Sequence, residues 1–96
     1  MIVDDIYIFF RAVGITRSHG HFSVEHMGYS RRYYDYLRCS GARPNDRAVL
    51  RLALTLLDMA MDVSLTPQEN NRASYLGRRA FAHVIRYCRP DQPNKR

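Results

Sequence analysis

Apolar side chains return along this chain at intervals of three and four, and five short stretches carry the pattern. Behind Asp4 and Asp5, the residues Ile6, Phe9, Phe10 and Val13 fall on one helical face, and two carboxylates suit the positive end of a helix dipole. A helix is predicted over Asp4 to Val13, although the run Ile6 to Phe10 also has high strand propensity. The second stretch, Ser18 to Met27, opens on a cap-type residue and keeps Phe22, Ser23 and Met27 for the inside. Gly20 and three histidines lower its helix propensity. The third begins at Ser30, an N-cap type, runs through Arg38 and stops at Gly41, with Tyr33 or Tyr34 and Leu37 as its buried side.

The fourth stretch is the clearest. Asn45 follows Pro44 as a cap, and the pattern stays helical to about Asp62. Arg47, Arg51, Thr55, Asp58 and Asp62 form one narrow polar stripe, and nearly everything else is apolar. A helix wetted along one strip is expected to be covered on two sides, as the central post of the domain. The fifth opens Thr66-Pro67-Gln68-Glu69, a capping box with proline at the first helical position. Its inner stripe is Ala73, Leu76, Ala80, Val84 and Cys88, its outer stripe Arg72, Arg79, His83 and Arg86, and Pro90 ends it. The expected class is all-α: a compact bundle of about five helices in one domain over 1–89, with a long last helix over 66–89 and a polar tail over 90–96.

Composition narrows the class further. A chain of 96 residues, 46% hydrophobic and 25% charged, has room for one globular domain and is too apolar for wholesale disorder. Its core is thin enough for a second subunit to complete it. The longest apolar run, Ile6 to Phe10, is far short of a bilayer span, and no signal peptide is visible at the start, so a cytoplasmic protein is expected. Cys39 and Cys88 cannot frame a disulfide scaffold, and both are expected to be small buried hydrophobes.

Fifteen basic against nine acidic side chains give a net charge of +6, unevenly spread. Residues 1–27 carry a net −1, residues 28–57 a net +4 and the remainder +3. A basic middle third is the footprint of a protein that meets a polyanion. Fourteen of the fifteen basic residues are arginine, whose planar fork suits guanine edges and phosphates. A coding bias would enrich arginine as well, so composition alone does not decide.

From Phe22 to Leu56 the order of features resembles the helix-turn-helix domain of the Cro/CI repressor type. Phe22 and Ser23 stand as the bulky-then-small pair, Gly28 opens the turn and Tyr29 takes its buried position. Ser30 stands as the cap of the recognition helix, Tyr34 and Leu37 face inward, and Pro44-Asn45 starts the next helix. The resemblance covers about residues 5–62. Ser23 and Gly28 are one residue further apart than the family's spacing, and Ser18-His19-Gly20 stands where the family has a glutamine-rich start. It implies a bacterial-type transcriptional regulator that reads double-stranded DNA with the helix Ser30 to Arg38. Arg31, Arg32, Asp35 and Tyr36 would then meet base edges, and Arg38, Arg43, Asn45 and Arg47 would meet phosphates. Such proteins usually bind as dimers, and the last helix is expected to join two copies through Leu76, Ala80 and Val84. The alternative is a non-catalytic interaction module with the same bundle, for which tyrosine and arginine are equally suited.

Other chemistry has less to stand on. His19, His21 and His26 are spaced to converge on a metal in a loop, but only Glu25 lies near them, and cap or solvent-facing histidines are expected instead. Neither a nucleophile elbow, a P-loop, a zinc-protease motif nor a dinucleotide turn occurs, and the i, i+4 pair Asp58 and Asp62 reads as a solvated strip. No enzyme, cofactor, metal or small-molecule substrate is expected.

Overall fold

The computed structural model describes residues 1–88, with side chains to residue 86. The expected tail over 90–96, the last residue of the expected 66–89 helix and the side chain of Cys88 lie outside the described residues. The described chain is all-α, with no strand: α1 (Ile2–Val13), α2 (His19–His21) running on into a π-helical turn (Phe22–His26), α3 (Tyr33–Ser40), α4 (Asp46–Ala60) and α5 (Pro67–Cys88).

α1 starts two residues before the expected Asp4, because the Met1 carbonyl already accepts from the Asp4 N–H at 3.0 Å. Ile2, Val3, Ile6, Phe9 and Phe10 face inward, and Ile8 is left outside. Helical propensity across the whole segment outweighs the strand-like run, since only the helical period puts these five on one side.

α4 and α5 form the frame, an antiparallel pair whose joint is tied by side chains. Asn70 donates to the carbonyls of Met59 (2.8 Å) and Asp62 (3.0 Å). The Asp62 carboxylate accepts from the Ser64 N–H and hydroxyl, which hold its pKa below the usual carboxylate value. The Thr66–Glu69 capping box forms as expected, with reciprocal bonds of 2.9 and 3.1 Å. Halfway along α5, a Cβ on Gly77 would stand 3.3 Å from Leu57 Cδ2, so glycine there sets how closely the two helices approach.

The inner row of α5 is consumed by this packing. Leu76 and Ala80 are fully buried within the chain, and Val84 packs half-buried on the same core. The dimer role expected for Leu76, Ala80 and Val84 is thereby corrected: one face cannot fill the monomer's core and also receive a second copy.

α4 departs from expectation in the opposite sense. It ends at Ala60 rather than Asp62, and only one broad side is covered, by Ala48, Val49, Leu52, Ala53, Leu56 and Met59. Leu50 and Leu54 are exposed, so the post is not sheathed on two sides. The domain has one layer of helices to lay against it.

The remaining elements pack around an aromatic centre. Phe22 is fully buried, with ring centroids 5.1 Å from Tyr7, 5.7 Å from Phe10 and 5.1 Å from Tyr34, all close to edge-on. Burial of such a ring stabilises by about 1.5–3 kcal/mol, and each edge contact adds roughly 0.5–1.5 kcal/mol. Cys39, expected inside, is exposed near the end of α3, since Leu37 and Tyr34 already fill the inward side of that short helix.

Candidate nucleic-acid interface

The segment from Ser18 to Ser40 places a short helix, a bend and a second helix in sequence, and one hydroxyl joins them. The Ser18 hydroxyl accepts from the His21 N–H at 3.1 Å and starts α2. Four residues later the winding loosens: the Met27 N–H reaches the Phe22 carbonyl five residues back at 3.1 Å. A π turn spends one more residue than an α turn. It therefore takes up the additional residue that separates Ser23 from Gly28. At Gly28 the chain enters the left-handed region at φ +75°, where glycine has no Cβ to strain.

Ser23 is the joint. Its fully buried hydroxyl donates to the His19 carbonyl and accepts from the Tyr34 N–H, both at 3.0 Å, and its carbonyl accepts from the Tyr29 N–H at 3.0 Å. The first N–H groups of a helix have no partner in their own helix, and Ser23 supplies one to α3 from the helix before it. The pattern of the second stretch puts Ser23 inside and by itself gives the hydroxyl no such duty.

α3 begins at Tyr33, not Ser30. Ser30 contributes its carbonyl to the Tyr33 N–H at 3.1 Å, its side chain makes no cap, and Arg31 and Arg32 form the turn that leads in. The expected span Ser30 to Arg38 is thus corrected to Tyr33–Ser40, and the two arginines precede the helix rather than opening it. Both are exposed, and the Arg31 guanidinium lies so close to Gly20 that a Cβ there would meet Nη2 at 2.9 Å. On the helix itself Tyr34 and Leu37 are buried while Asp35, Tyr36 and Arg38 face out.

Two outward groups already have partners. Asp35 Oδ1 is 2.6 Å from His19 Nδ1, a second tie between α2 and α3. No sequence signal announces a pair sixteen residues apart with neither member on an apolar stripe. Arg38 lies 4.0 Å from Asp4 and over the Tyr34 ring. The Tyr34 hydroxyl donates to Asp4 at 2.5 Å, and burial together with that carboxylate pushes its pKa well above the usual phenol value.

Beyond α3, Arg43 is exposed and paired with Asp46 at 2.6 Å. Asn45 is occupied: its Oδ1 caps α4 through the Arg47 N–H at 2.9 Å, and its own N–H donates to the Tyr33 hydroxyl at 2.7 Å. Arg47 lies apart, with Leu50, Arg51 and Leu54 along a groove closed by Met27, Gly28 and Tyr29. Arg31, Arg32, Tyr36, Arg38 and Arg43 are therefore the exposed donors of the α3 region. Arg47 belongs to the outer side of α4.

The three histidines of the second stretch face different partners. His19 meets Asp35, His21 Nδ1 lies 2.9 Å from the Thr16 hydroxyl, and His26 Nε2–H donates to the Ile15 carbonyl at 3.1 Å. Among the described residues no three metal-ligating side chains come together. Burial holds the His26 pKa below its ordinary value, with His21 and Arg51 adding repulsion. His83, beside Arg43 and Arg86, is likewise lowered, first by burial. No helix among the described residues is long and apolar enough to cross a membrane.

No curated protein and no solved structure matches the chain. One family model does, over residues 3–93, from the start of α1 through α5. With nearly all of its length matched, the chain belongs to DUF6626, a family of unknown function.

Proposed function

We propose that this protein binds double-stranded DNA as a small transcriptional regulator, with α3 and the turn before it as the reading element. One observation carries the reading. The buried Ser23 and the left-handed Gly28 lock α2 and α3 together while Arg31, Arg32 and Tyr36 stay exposed. That is the arrangement a major-groove reader needs: a short rigid helix whose leading end carries donors with no structural duty to surrender. Arg31 and Arg32 are assigned to base edges, where one bidentate contact with guanine discriminates by about 1–3 kcal/mol. Tyr36 adds a further donor. Asp35 keeps its second carboxylate oxygen for a cytosine amine. Arg38 and Arg43 are assigned to phosphates, and Asn45, spent on capping, is not. With DNA as partner, the cytoplasm is where the protein acts.

Titration of labelled random duplex at several salt concentrations tests the reading. The two arginines assigned to phosphates, Arg38 and Arg43, give log affinity a slope of about −2 against log salt. Once a preferred site is selected, Arg32→Ala is expected to erase the preference, whereas Arg43→Ala weakens all sequences alike. Absence of binding at low salt, or a flat salt response, removes the proposal. The exposed leucines of α4 favour a second reading, a protein-interaction bundle without DNA.

A further inference from the structure

We infer that the outer face of α4 is the contact surface of a symmetric dimer, packed antiparallel against the same face of a second copy. The face is apolar where a lone helix should be wet. Leu50 is 37% exposed, Leu54 53% and Met61, at the end of α4, 84%. At 100° per residue these three lie within about 40° of one another, opposite the buried side. The groove formed with Met27 and Tyr29 extends the same surface towards α2.

The charges beside this row select the occupant. Arg47 and Arg51 stand in the first half of α4, Asp58 near its end and Asp62 just beyond it. All four are exposed. Within the single chain this order is unfavourable twice over. Like charges sit at i, i+4, and each sign stands at the wrong end of the helix dipole. Neither Arg47 nor Asp58 has a side-chain ion pair among the described residues; Arg51 has only a 3.4 Å bond to the Glu25 carbonyl.

An antiparallel copy offsets these terms by bringing opposite charge beside each end of the helix. In a twofold contact residue i meets j and j meets i, so a helix positive at one end and negative at the other complements itself. Crossing at Leu54 lays that side chain on its own copy. Arg51 lies three residues before Leu54 and Asp58 four beyond, so the two align across the pair to about 1.5 Å. Arg47 reaches the same carboxylate from the next turn. Opposed dipoles then attract as well. A foreign acidic or basic helix would satisfy only half of this pattern.

The test is the mass of the full-length chain in sedimentation equilibrium without DNA, so its outcome is independent of the DNA-binding reading. The wild type is expected to be a dimer at micromolar concentration. Leu54→Lys sets two ammonium groups face to face and is expected to give a monomer with unchanged circular dichroism. Arg51→Asp alone and Asp58→Arg alone each break the pair twice, raising the dimer dissociation constant roughly tenfold or more. Mixed one to one, those two variants complement each other and are expected to form a heterodimer. A monomeric wild type overturns the inference, as does a dimer that survives Leu54→Lys or two single variants that fail to associate when mixed.

Discussion

Replacing Ser23 by alanine removes one oxygen and tests how α2 and α3 are held. The His19 carbonyl loses the hydroxyl but keeps the Phe22 N–H. Tyr34 is different: its N–H lies in the first turn of α3, is buried, and takes Ser23 Oγ as its acceptor at 3.0 Å. The site is fully buried, so water cannot replace that oxygen without opening the joint. Leaving a buried donor unsatisfied costs about 1–3 kcal/mol, and the small cavity adds little, since alanine fills most of the volume. A loss of about 2 kcal/mol lowers Tm by roughly 8–16 °C in a domain of this size. Thermal unfolding followed by circular dichroism, with urea unfolding at a fixed temperature, measures both quantities. If Ser23→Ala costs less than about 0.5 kcal/mol, the hydroxyl is not what positions α3. Ser23→Thr is expected to fail by another route, forcing a methyl group into a space with no room.

Gly28→Ala is expected to destabilise by about 1–2 kcal/mol, because an L-residue at φ +75° is strained and its Cβ would stand 3.2 Å from Arg51 Nε; a neutral result in urea unfolding would refute the turn assignment. Stability should also fall with acid. Burial depresses the pKa of His26 and His83 in the folded chain below the ordinary 6.5, so the unfolded chain takes up protons first as pH drops. Their contribution is complete above about pH 6.5 and is lost as pH falls towards the folded values, so the urea midpoint should decline from about pH 7 to about pH 5. His26→Gln, which keeps a donor for the Ile15 carbonyl, is expected to flatten that decline; an unchanged slope would place the effect elsewhere.

Elements whose signals are local were legible in the order of the residues. Periodicity located all five helical stretches, and caps marked the starts of three: Ser18, Asn45 and the Thr66–Glu69 box each bond as their residue types require. Caps and stripes are legible because they act within a turn or two of their own residue. What needed tertiary structure was everything set by competition for one surface. Leu76 and Leu54 look alike on a helical wheel, yet one is buried under α4 and the other faces outward, because a single layer of helices covers one side of each partner. Ser30 has the chemistry of a cap, but α3 starts three residues later, where Ser23 supplies an acceptor from the preceding helix. His19 and Asp35, sixteen residues apart, meet only after the π turn and Gly28 have set the angle between α2 and α3. Local bonding is written in neighbouring residues; which face is covered depends on how many other faces the chain has left to cover it.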